Sequence, residues 1–184
     1  MMGRTVATIV GAAGMGTERE QVVARLFDAH YQALRALAHG MLGEASAAEE
    51  VASDVFVKAF GGWRRFRSVE HQPSYLRAMV VNECRSRLRR RKVEERVNEA
   101  SHRSAVVPTN DIDRRLGDLD LLAAVRTLPP RQRACVVLRY MEDLPDREIA
   151  DILGCSIGTV KSQLSKARAR LERELSQPGG TTHE

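Results

Sequence analysis

Residues 144–171 read LPDREIADILGCSIGTVKSQLSKARARL, and their spacing predicts two short helices joined by a tight turn. Pro145 lies at the start of the first helix, where its missing N–H costs nothing. Ile149, Ile152 and Leu153 recur at the intervals of one buried helical face, and the small Ala150 lets a second helix pack close. Gly154 follows the last periodic residue as a left-handed stop, and Ser156 can cap the next helix by accepting from its first free N–H groups. A turn of about three or four residues between two such helices is a helix-turn-helix.

In the second helix Val160, Leu164, Ala167, Leu171 and Leu175 form the apolar stripe. Thr159, Ser162, Ser165, Lys166 and Ala169 fall on the opposite side, with Lys161, Arg168 and Arg170 flanking it. Small hydroxyls and a lysine can approach base edges in a major groove, while the flanking cations neutralise phosphates. A solvated amphipathic helix is the plainer alternative, but it requires neither the capped turn nor the small polar face.

The chain of 184 residues carries a formal net charge of +5 and few aromatics. Its apolar residues follow helical spacing without a period-two strand, so the expected class is all-α: two small helical domains joined by a flexible linker. The basic charge is concentrated in Arg85, Arg87, Arg89, Arg90, Arg91 and Lys92, which points to a polyanionic partner. Cys84, Cys135 and Cys155 are odd in number and far apart, suiting packed residues in a reducing cytoplasm rather than disulfides or zinc. His30, His39, His71, His102 and His183 show no ligand spacing, so neither metal nor other cofactor is expected. No membrane-spanning run occurs; an apolar patch over 6–13 behind Arg4 only faintly imitates a signal peptide, since Glu18, Arg19 and Glu20 follow at once. Residues 1–17 read as a flexible leader, with Met1, Met2 and Met15 all candidate starts.

The expected organisation is a first helical domain over 18–92, a linker over 93–117 and the helix-turn-helix domain over 118–177, with a disordered tail over 178–184. In the first domain Phe27, Tyr31, Leu34, Ala38, Met41 and Leu42 form the buried side of a long helix that Gly43 ends. Val51, Val55, Phe56, Ala59, Phe60 and Trp63 form the stripe of the next helix, whose Glu49, Glu50, Ser53 and Asp54 make an acidic side. Those acids suit either the helix dipole or a partner surface. Residues 63–76, WRRFRSVEHQPSYL, interleave aromatics with cations: Arg64, Arg65 and Arg67 can grip a backbone and Phe66 can stack on a base, or Trp63 and Phe66 can plug the core. The helix predicted over 75–92 puts Asn82, Arg85 and Arg89 on one face, a surface able to read a DNA strand and hold its phosphates.

Over nearly all of residues 18–175 the chain resembles the extracytoplasmic-function (ECF) sigma factors, the minimal two-domain form of the bacterial sigma-70 family, and within them the SigE-like branch. Residues 48–60 are similar to the family's core-polymerase-binding helix, 63–76 to its promoter-melting segment, 75–92 to its minus-ten helix with Asn82 at the characteristic polar position, and 118–175 to its minus-thirty-five-binding domain. The resemblance implies a dissociable promoter-specificity subunit of bacterial RNA polymerase, monomeric when free, cytoplasmic and not an enzyme. It implies that Glu50 and Asp54 dock on core polymerase and that the loop over 67–74, with Arg67 and Ser68, traps a flipped base. Arg64, Arg65, Asn82, Arg85 and Arg89 would hold the melted strand, and Ser156, Thr159, Lys161, Ser162, Ser165, Lys166 and Arg168 the minus-thirty-five duplex. An anti-sigma factor is the further partner it implies. Ser53 stands where the family usually has Gln, and Gln163 where Arg is common. A dimeric helix-turn-helix regulator on palindromic duplex sites and a decoy that titrates an anti-sigma protein remain as alternatives.

Overall fold

The computed structural model describes residues 18–99 and 119–176, all organised by helices. Eight are present among the described residues: α1 (Glu18–Leu42), α2 (Ala45–Gly61), α3 (Trp63–Arg67), α4 (Gln72–Glu99), α5 (Leu119–Thr127), α6 (Pro130–Tyr140), α7 (Asp146–Leu153) and α8 (Ile157–Ser176). The expected leader, the expected tail and most of the expected linker lie outside the described residues.

The first four helices form one module. Leu34, Leu37, Ala38 and Met41 of α1 pack with Val51, Val55 and Phe56 of α2 and with Leu76, Val80 and Cys84 of α4, all buried. Phe27 stacks on Tyr31 at 4.4 Å and meets Phe56 at 5.0 Å between centroids, closing the outer end of this core. Gly43 ends α1 with a φ of +76°, a conformation that costs glycine nothing. Helix α4 continues through 93–99, so the first module extends past the boundary expected at residue 92. Lys, Glu and Arg are good helix formers whatever their exposure, and the run KVEERVNE carries the helix onward.

The last four helices form the second module around Leu128, Val137, Leu138, Ile149, Val160 and Ala167. The two modules also pack on each other. Helix α1 touches α5 and α6, α4 touches α6 and α7, and one apolar cluster runs through both modules. Arg133 of α6 is central to this seam: 8% exposed, it donates from Nη1 to the Met41 carbonyl of α1 at 2.6 Å and from Nη2 to the Leu128 and Arg126 carbonyls.

Candidate nucleic-acid and polymerase interface

The helix-turn-helix forms as its sequence dictates. Pro145 precedes the first turn of α7, Gly154 closes it in the left-handed region (φ 60°, ψ 46°), and the Ser156 hydroxyl accepts from the Thr159 N–H at 3.1 Å. The Ser156 and Thr159 hydroxyls also share a hydrogen bond at 2.9 Å, which fixes two of the small polar groups at the front of α8. Val160 and Ala167 are fully buried, and this turns Ser156, Thr159, Lys161, Ser162, Ser165, Lys166 and Arg168 outward together. By helical offset Thr159, Ser162 and Lys166 make one row, and Lys161, Ser165 and Arg168 the adjacent one. Arg168 donates to the Tyr140 hydroxyl at 3.3 Å, a lateral anchor that the α8 pattern could not reveal.

In the first module Arg64, Arg65 and Arg67 are exposed on the short helix α3, and the Ser68 hydroxyl closes it by donating to the Arg65 carbonyl at 2.8 Å. Phe66 does not join them. It is 2% exposed, with its ring 6.1 Å from the ring centroids of both Trp63 and Tyr75, so it belongs to the core and is not free to stack on a base. Trp63 is only half-buried. Asn82 and Arg89 are exposed on α4, and with Arg85 they line an open cleft of about 490 Å³ whose other wall includes Val55 and Lys58 of α2.

Glu50 and Asp54 are brought together on the outer side of α2, but not free of partners. Arg87 of α4 donates to Glu50 at 2.9 Å and Asp54 at 3.3 Å, and approaches Glu83 at 3.5 Å. Lys58–Glu83 at 2.9 Å and Arg91–Glu44 at 2.7 Å extend this ladder of ion pairs along the α2–α4 seam. The hydrogen bond from Lys58 holds the Glu83 carboxyl below its ordinary pKa, and that from Arg91 does the same for Glu44. Because α2 starts at Ala45, Glu49 and Glu50 lie beyond its first turn, where the helix dipole has faded; the α4 arginines are the better account of the acidic side. Burial pushes the Cys84 thiol up to about 12 and the Cys135 thiol to about 11, leaving both neutral packing groups, whereas Cys155 is half-exposed. No described helix is long and apolar enough to cross a membrane.

Residues 26–94 match the family model for Sigma-70 region 2 and residues 118–171 that for Sigma-70, region 4. The chain is 36% identical to the RNA polymerase sigma-E factor of Streptomyces coelicolor, over 70% of this chain and 71% of that one. It is 35% identical to the ECF RNA polymerase sigma factor SigM of Mycobacterium tuberculosis, over 82% and 76% respectively. Among solved structures, the sigma factor RpoE in complex with the anti-sigma factor NepR from Bartonella quintana aligns with a TM-score of 0.67 at 26% identity, covering 85% of this chain and 98% of that one.

Proposed function

The chain belongs to the ECF sigma factors of the sigma-70 family and directs transcription initiation; on that premise we propose a division of labour among its surfaces. Glu50 and Asp54 dock α2 on core polymerase. Arg64, Arg65, Arg67 and Ser68, with Asn82, Arg85 and Arg89, receive the melted minus-ten strand, and Phe66 holds their loop in place from below. The outward rows of α8 read the minus-thirty-five duplex, with Ser162 and Lys166 toward base edges and Arg168 on phosphates.

The observation that carries this reading is the capped helix α8, whose seven polar and basic candidates all face solvent from a fully buried Val160 and Ala167. Neither contact needs to be tight alone, because binding one module raises the local concentration of the other at the promoter. Strand opening is favoured when flipped, unstacked bases are held better than stacked ones. The chain itself makes and breaks no bond; the chemistry belongs to the polymerase, in the cytoplasm. An anti-sigma factor is its regulator, a role supported by the partner in the RpoE–NepR structure.

Run-off transcription with purified bacterial core polymerase on pooled genomic promoter fragments tests the reading. Discrete start sites that require the protein support it. Duplex binding without any transcript would favour the dimeric regulator instead.

A further inference from the structure

We infer that Cys135 and Cys155 are a dithiol pair that a small-molecule disulfide closes into a bridge between α6 and the turn of the helix-turn-helix, and that closing it weakens the hold on the minus-thirty-five duplex. The bridge rests on geometry; its effect on DNA rests on the functional reading above. Cys135 of α6 and Cys155 of the α7–α8 turn, both free thiols, line one cleft of about 250 Å³ together with Gly154 and with Thr159 and Gln163 of α8. Cys155 is half-exposed and Cys135 is 1% exposed, so one thiol meets solvent and the other is shielded from it. After burial, the nearby Cys155 is the next cause holding the Cys135 thiol up at about 11, an influence felt only at short range. Arg85 opposes that rise, and with Arg131 it lines the cleft, so two cations favour anionic sulfur there. Cys84 stands apart in the core of the first module, 0% exposed.

The exchange runs in two steps. The Cys155 thiolate attacks one sulfur of the small disulfide, forming a mixed disulfide and releasing one thiolate. Cys135 gives up its proton and attacks the Cys155 sulfur, breaking the mixed bond and releasing the second thiolate. The two protons lost by the cysteines pass to the two released thiolates, so two cysteine thiols are oxidised as one disulfide is reduced. Reducing surroundings keep the pair open, and it closes only when the small disulfide accumulates. A bridge sets the two Cα atoms about 5.5 Å apart and fixes Cys155 against α6. The joint that yields is Gly154, which has nothing within 4 Å of its Cβ position. The residue after Cys155 is Ser156, whose hydroxyl caps the Thr159 N–H at 3.1 Å, so fixing Cys155 re-aims the front of the recognition helix.

Incubation of the full reduced chain with oxidised glutathione, read by intact mass and non-reducing peptide mapping, tests this. The wild type should lose two hydrogen atoms, with the peptides of Cys135 and Cys155 joined and Cys84 still free. Cys135→Ala should stop at a glutathione adduct on Cys155, and Cys155→Ala should form neither adduct nor bridge. Alanine at either site removes the thiol without adding bulk, and the circular dichroism of each variant should match the wild type. On a fluorescent duplex carrying the minus-thirty-five element of a promoter mapped by run-off transcription, the bridged chain should bind about tenfold more weakly than the reduced one, the loss of about one base-edge contact. Dithiothreitol should restore the binding, and the Cys155→Ala variant should bind alike with and without oxidised glutathione. A wild type that keeps all its thiols, that carries the glutathione adduct in place of the bridge, or that joins Cys84 would overturn the inference, as would a bridged chain that binds as tightly as the reduced one. If no promoter can be mapped, the functional reading fails and the claim about DNA with it, while the mass still decides whether the bridge forms.

Discussion

Arg87 of α4 donates through Nη1 to Glu50 Oε2 of α2 at 2.9 Å, tying a carboxylate assigned to polymerase docking to the helix assigned to the minus-ten strand. The same guanidinium reaches Asp54, yet both acids remain more than half exposed, so water screens the pairs and each is worth little. Arg87→Met, which keeps the apolar stem and removes the donors, should cost about 1 kcal/mol, a few degrees in Tm. Thermal denaturation followed by circular dichroism measures it; a shift that persists in molar salt would mean packing, not charge, is responsible.

Gly154 owes its place to backbone conformation alone. Nothing lies within 4 Å of the position its Cβ would take, while its φ is +60°. Gly154→Ala is therefore expected to cost about 1–2 kcal/mol of second-module stability, with Gly154→Asn costing less. Chemical denaturation of both variants should reveal that order, and an alanine variant as stable as wild type would show that the turn relaxes.

Ser156 is both cap and candidate DNA contact. Ser156→Ala should lose about 1 kcal/mol through the Thr159 N–H and also free the Thr159 hydroxyl. Ser156→Asp retains an acceptor, so it should recover the stability but not the DNA affinity, because it sets a negative charge against phosphate. Paired melting and anisotropy titrations separate the two effects.

The two rows of α8 predict different losses. Replacing Ser162 or Lys166 should change the ranking among minus-thirty-five sequences, whereas Arg168→Ala should weaken binding to all of them and lower the salt slope by about one. Equal losses across sequences for Ser162 and Lys166 would reverse the assignment of the rows.

Acid should loosen the α2–α4 seam. Glu83 and Glu44 have pKa values below their ordinary 4.5 in the folded chain, so the folded state binds fewer protons than the unfolded state as pH falls below about 4.5. The stability they contribute is fully present above that value and is lost as pH falls through the folded values. Urea unfolding at pH 7 and pH 4 should show the loss, and Lys58→Met should diminish it by removing the main cause at Glu83.

The helix-turn-helix was legible because its signals are local: a proline, a glycine and a serine each act within a few residues of themselves. The stripes of α1 and α2 were legible for the same reason, since burial repeats at helical spacing. Phe66 was not, because an aromatic among arginines has the same pattern whether it stacks on a base or fills the core; here Trp63 and Tyr75 decide. The pairing of Glu50 with Arg87 spans 37 residues and that of Arg133 with Met41 spans 92, distances at which periodicity carries no information. Gly40 gave no signal either, since within a helix its meaning lies entirely in what approaches it.

Arg133 gives the seam its balance. Its guanidinium is buried against carbonyls, with no carboxylate paired to it among the described residues, and burial pushes its pKa down to about 10, so at neutral pH it remains a cation that water would hold more comfortably. Burying that charge opposes the apolar contacts that Val137 and Met141 of the second module make beside Gly40 of α1. An apolar seam is thereby built around a cation whose lost hydration subtracts from what the seam contributes.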